Sequence, residues 1–180
     1  MSPSSPSEDS IEVLFSAETI AARTKTLAHE IASAGFTDLL VVPILKGSFI
    51  FGADLLRALH QAGAVLEVDF MFLSSYRDKT QSSGKVEILR DIETNVSGRD
   101  VLLVDDILES GRTLSFAKDL IASRSASRVA TCVLLDKPVV RAAEIKADFL
   151  GFKCPDAFVI GYGMDLAHRY RELPYVGRIV

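Results

Sequence analysis

Three short apolar runs, at residues 39–45, 101–104 and 129–135, constrain the architecture of this chain most. None carries a charge, and each is short for a helix, so each reads as a strand buried on both faces, the middle one extending over residues 100–106. Helical spacing fills the gaps between them. One helical pattern runs from Ser16 or Ala17 to Ala34 and stops at Gly35. A second covers residues 49–62 and closes at Gly63, and a third covers 113–123. Strands alternating with helices imply an α/β fold with a parallel sheet covered on both sides. Weaker signals predict an edge strand at 11–15, strands at 66–73, 86–89, 149–152 and 158–160, and a short helix at 138–145. The tail after Asp165 reads as polar and irregular. Residues 1–10 read as a disordered Ser/Pro-rich tail, and 11–180 as a single domain.

Composition narrows the function classes. Hydrophobic residues make up 48% of the 180, enough for a real core, and the formal net charge is −4. An acidic chain does not hold nucleic acid by bulk electrostatics. No apolar run approaches the roughly 18 residues that a membrane span needs, so neither a nucleic acid nor a membrane is an expected partner. The two cysteines, Cys132 and Cys154, are too few for a disulfide framework or a zinc site. A reducing, cytoplasmic setting is expected.

The most informative stretch is Val101-Leu-Leu-Val-Asp-Asp-Ile-Leu-Glu-Ser-Gly-Arg-Thr113. In a parallel sheet, ligands gather where strands end and helices begin. Here Asp105 and Asp106 stand at a strand end, and Glu109, Ser110, Gly111, Arg112 and Thr113 turn into a helix. Gly111 permits close backbone approach. The N–H groups of a helix start, with the Ser110 and Thr113 hydroxyls, suit a phosphate. The carboxylates accept hydrogen bonds from sugar hydroxyls and orient a hydrated cation. Together these features describe a site for a ribose 5-phosphate. A Walker loop and a dinucleotide-binding glycine motif are both absent.

This stretch resembles the phosphoribosyl pyrophosphate motif of type I phosphoribosyltransferases. Four further segments follow in the order found in the hypoxanthine-guanine phosphoribosyltransferases: Leu45-Lys-Gly-Ser-Phe49, Ser74-Ser-Tyr76, Lys146-Ala-Asp-Phe-Leu-Gly-Phe152, and Phe158-Val-Ile-Gly-Tyr-Gly-Met-Asp165 with Arg171-Glu-Leu173. The resemblance implies a central parallel sheet with a small hood built from the N-terminal segment and roughly residues 145–180. It implies purine salvage: transfer of a phosphoribosyl group from phosphoribosyl pyrophosphate to a 6-oxopurine, giving IMP or GMP and diphosphate, with Mg2+ as cofactor. It implies that Asp105, Asp106, Glu109 and residues 110–113 bind the ribose phosphate. Lys46, Gly47, Ser75, Tyr76 and Arg171 would bind diphosphate, and Lys146, Phe158 and Val159 the purine. Asp165, with Asp105 and Asp106, would serve the metal. Glu109 would be the catalytic carboxylate, where relatives carry aspartate. Asp105 stands where many carry glutamate, and Ser48 where many carry a second glycine. A homodimer or homotetramer is expected.

Overall fold

The computed structural model describes residues 10–75 and 85–180. The expected tail therefore lies outside the described residues, apart from Ser10, and so does most of the loop from Ser74 to Lys85. Among the described residues the chain forms β1 (Ile11–Phe15), α1 (Ala17–Ala32), β2 (Leu39–Leu45), α2 (Phe49–Gln61), β3 (Leu66–Val68), β4 (Met71–Ser75) and β5 (Val86–Arg90). β6 (Asp100–Leu108), α3 (Arg112–Ser123), β7 (Arg128–Asp136), β8 (Phe149–Lys153), β9 (Val159–Ile160) and β10 (Val176–Ile179) follow.

The main sheet runs in the order β5-β4-β2-β6-β7-β8, with β3 also on β2. Its pairings are parallel except for the antiparallel β4 and β5. The strand period of two sorts its side chains into two cores. Leu39, Val41, Leu102 and Val104 pack with α1 and α2, whereas Leu40, Val42, Val101 and Leu103 pack with α3. Each helix offers one apolar stripe to its side, such as Ile20, Leu27, Ala28 and Ile31 on α1. Ser16 caps α1 by accepting a hydrogen bond from the Thr19 N–H at 3.2 Å. A second, three-stranded antiparallel sheet joins β1, β10 and β9.

Four expectations about elements need correction. The strand expected over 66–73 is two strands, because Asp69 turns its carboxylate onto the N–H groups of Phe70, Glu93 and Thr94. The break leaves Val42 and Pro43 of β2 without a ladder partner on that edge, where a proline has no N–H to lose. The sixth strand runs on to Leu108, so Asp105 and Asp106 lie within it rather than closing it. Residues 138–145 form no helix. The tail after Asp165 is not irregular throughout, since β10 is the middle strand of the small sheet and Val176 is fully buried.

Candidate active site

The site gathers at the carboxyl ends of β2 and β6. Asp105 and Asp106 stand side by side near the end of β6 and line the same cavity. Each carboxylate accepts the N–H of the next residue, Asp105 from Asp106 at 3.0 Å and Asp106 from Ile107 at 2.9 Å. Burial pushes both carboxyls above the usual range, Asp105 further, and the neighbouring negative charge of Asp106 adds to the rise at Asp105. A hydrogen bond with the Asp105 carboxyl, then backbone N–H groups and, least, the Arg171 charge pull Asp106 partly back.

The Lys46 turn presses against this pair. The Leu45–Lys46 peptide is cis. A Cβ on Gly47 would collide with the Asp106 carboxylate, so glycine lets the turn sit directly against the end of β6. Ser48 Oγ donates to the Ile44 carbonyl at 2.5 Å and ties the turn back to β2. The exposed Lys46 ammonium stands 5.4 Å from the centre of the Phe72 ring.

After β6, Gly111 takes φ 77° and starts α3. The first N–H groups of a helix have no partner within it, and the positive end of its dipole faces the turn. Ser110 Oγ accepts one of them, from Arg112 at 3.4 Å. Lys46, Gly47, Asp105, Asp106, Glu109, Ser110, Gly111 and Thr113 line one cavity of about 240 Å³. Arg112 is exposed and lines neither that cavity nor the larger one beside it.

The adjoining cavity, about 790 Å³, shares Lys46, Gly47, Asp106 and Glu109 with the first. Phe158, Val159, Asp165, Arg171 and Lys137 complete its wall. Phe158 is 57% exposed, an aromatic face turned outward beside buried Val159. Arg171 donates to the Gly163 carbonyl at 2.6 Å and pairs with Asp165 at 2.9 Å. Asp165 also accepts the His168 N–H at 2.7 Å. Ser75 ends β4 opposite Val86, and Tyr76 lies outside the described residues.

Lys146 does not join this constellation. It is exposed and lines a different cavity, with Lys118 and Glu144. The lysine beside Phe158 is Lys137, only 7% exposed at its side chain, with Nζ 3.5 Å from Glu109 Oε1. Sequence reasoning missed it, although a signal existed: Lys137 directly follows a buried parallel strand, the place where such sheets bind ligands.

The residues also bear on a metal. Among the described residues no three or more carboxylate, histidine or cysteine side chains gather into a cage. A magnesium ion needs none when it arrives on diphosphate oxygens and keeps most of its waters. Burial of both carboxyls and, at Asp105, the neighbouring charge of Asp106 disfavour two bare carboxylates side by side, which a hydrated cation would relieve, so Asp105 and Asp106 fit one. Asp165 already holds Arg171, so a cation there would share its carboxylate.

An acidic pair within β6, a helix-start turn suited to a phosphate and a facing glycine turn in one cleft fit a phosphoribosyl-handling site. Residues 10–167 match the phosphoribosyl transferase domain family. The chain belongs to that family. Within it, the chain is 48% identical to the hypoxanthine-guanine phosphoribosyltransferase of Bacillus subtilis (strain 168) over 168 residues, 92% of this chain and 91% of that one. It is 40% identical to the hypoxanthine phosphoribosyltransferase of Escherichia coli (strain K12), over 94% of this chain and 96% of that one. Its fold matches a crystal structure of a hypoxanthine phosphoribosyltransferase from Staphylococcus aureus with TM-score 0.89 and 39% identity, covering 99% and 96% of the two chains.

Proposed function

We infer that this chain transfers the phosphoribosyl group of phosphoribosyl pyrophosphate to hypoxanthine or guanine, releasing diphosphate and giving IMP or GMP. The observation that carries the reading is the continuity of the cleft. A phosphate turn and acidic pair share Asp106 and Glu109 with a pocket walled by Lys137 and Phe158.

In this reading the α3 N-terminus, Ser110 and Thr113 hold the 5-phosphate. Asp105 and Asp106 hold the ribose hydroxyls and the water shell of the magnesium ion. When bound, magnesium neutralises charge on the departing diphosphate. Lys46, the backbone of Gly47 and Arg171 grip that leaving group, a role that the family resemblance also implies for Ser75 and Tyr76. Purine N9 attacks ribose C1 from the opposite face. Most of the rate comes from positioning and from charges fixed in advance.

On the base side Phe158 stacks on the ring, with Val159 at its edge. Lys137 and Glu109 stand 3.5 Å apart. On a 6-oxopurine O6 and N7 are neighbours on one edge, so an ammonium and a carboxylate side by side suit both. Lys137 donates to O6, and Glu109 takes the proton from N7. The donor to O6 is thus Lys137 rather than Lys146, whose cavity lies elsewhere. An ammonium facing position 6 disfavours adenine, whose amine would leave two donors unpaired.

Among the described residues no helix is long and apolar enough to cross a membrane. Assembly as a homodimer or homotetramer belongs to the proposal, and light scattering reads it. The decisive assay offers hypoxanthine, guanine, xanthine and adenine in parallel with phosphoribosyl pyrophosphate and magnesium. The reading expects IMP and GMP with little AMP. Turnover of adenine at the rate of hypoxanthine would overturn the base assignment, and no turnover of any base would overturn the enzyme.

A further inference from the structure

Residues 137–148 carry the chain from β7 to β8 without a helix, and several of their backbone groups bond to residues 108–110. The Ala142 and Ala143 N–H groups both donate to the Ser110 carbonyl, at 3.0 and 3.2 Å. Ile145 and Ala143 wall in Gly111: a Cβ there would lie 2.7 Å from Ile145 Cγ2 and 3.1 Å from the Ala143 carbonyl. At the other end of the excursion, the Lys137 N–H donates to the Leu108 carbonyl at 3.0 Å, and the Lys137 ammonium reaches Glu109. One segment therefore grips residues 108–111 from both sides.

Arg141 closes that segment. One terminal nitrogen pairs with the Asp136 carboxylate, and the other donates to the Ile145 carbonyl at 2.6 Å. Asp136 immediately precedes Lys137, and Ile145 is the residue packed on Gly111. The guanidinium thus spans the two ends of the excursion, with only 19% of its side chain exposed. Its planar fork offers separate donors in fixed directions, which a single ammonium cannot match. Arg141 lines the cavity behind α3 with Ser115 and Lys118, not the cleft, so it acts through other residues.

We propose that Arg141 is a positioning residue that holds Lys137 and the turn at Ser110 and Gly111 in one frame, so that base recognition and ribose-phosphate binding depend on the same clasp. The proposal rests on the reading of Lys137 and the phosphate turn given above. Loosening the clasp lets the lysine drift from the purine edge and the turn drift from the phosphate together. A residue with only a structural role would lower stability and leave the base preference alone.

The test compares the full-length parent with Arg141→Met and Arg141→Lys. The measurements are KM for each substrate, kcat, the hypoxanthine-to-adenine ratio of kcat/KM, the Kd for phosphoribosyl pyrophosphate by calorimetry, and Tm. For Arg141→Met, both KM values should rise roughly tenfold, the scale set by losing a buried charged hydrogen bond. The hypoxanthine-to-adenine ratio should fall by a similar factor. Arg141→Lys keeps a cation beside Asp136 without reaching Ile145 as well, and should fall between the two. It also stands in if Arg141→Met does not fold. Parent-like KM values and base ratio in Arg141→Lys, or in a folded Arg141→Met, would overturn the clasp. If the parent itself turns over no purine, the base reading fails separately. The Kd for phosphoribosyl pyrophosphate then decides the clasp, weakened in the variants if it holds and unchanged if it does not.

Discussion

Replacing Lys137 with methionine separates the two lysines that compete for the purine. Methionine keeps most of the length of lysine and none of its charge. The Lys137 side chain is 7% exposed, while that of its partner Glu109 is 41% exposed. Glu109 therefore keeps water on its carboxylate after the substitution. The pair is half-open, and its loss should change stability by less than about 1 kcal/mol. The catalytic effect should be larger. A charged donor to a carbonyl is worth about 1.5–3 kcal/mol. At about 1.4 kcal/mol per tenfold, kcat/KM for hypoxanthine should fall roughly 10- to 150-fold. Adenine should lose little, since the ammonium no longer opposes its amine, so the ratio between the two bases should collapse. Lys146→Met serves as the control and should stay within about twofold of the parent, because Lys146 faces another cavity. Initial rates on both bases at saturating phosphoribosyl pyrophosphate, with urea unfolding of each variant, read all of this. A parent-like Lys137→Met beside a crippled Lys146→Met would refute the reasoning.

The acidic pair makes stability depend on pH. Burial raises Asp105 and Asp106 when folded, so the folded chain retains protons that the unfolded chain releases. Their contribution is full below the unfolded value of 3.8 and is lost as pH rises through the raised folded values. Asp105→Asn should accordingly gain Tm over the unliganded parent as pH rises, while binding phosphoribosyl pyrophosphate more weakly; a Tm difference that is flat or shrinking with pH would count against the pair. Gly111→Ala should destabilise the chain by about 2–3 kcal/mol, from a left-handed backbone together with the contact at Ile145. Urea unfolding checks this, and a loss under about 0.5 kcal/mol would mean that the turn relaxes freely.

Much of the sheet was legible because its signals are local. Apolar runs such as residues 39–45 are buried on both faces whatever lies beside them, and that alone demands a parallel sheet under helices. The turn at residues 105–113 was legible for the same reason: carboxylates, hydroxyls and a glycine at a strand end define their chemistry without reference to distant residues. Local pattern failed where a distant partner decided. Residues 138–145 have helical spacing, yet the Ala142 and Ala143 N–H groups are held by the Ser110 carbonyl and the Ile145 carbonyl by Arg141. The tail after Asp165 looks irregular until β1 and β9 supply its ladder.

The sequence by itself determined the α/β class, the strand that presents Asp105 and Asp106, and a helix start suited to a phosphate. These follow from the period of burial and from the chemistry of adjacent residues. Only the tertiary structure decided which lysine shares a cavity with Phe158. Lys137 and Lys146 are nine positions apart in one irregular segment, and the one local difference, that Lys137 directly follows a buried strand, does not by itself set them apart. Strand register does, because it sets β7 beside β6 and brings Lys137 against Glu109, while the bend clasped by Arg141 turns Lys146 away.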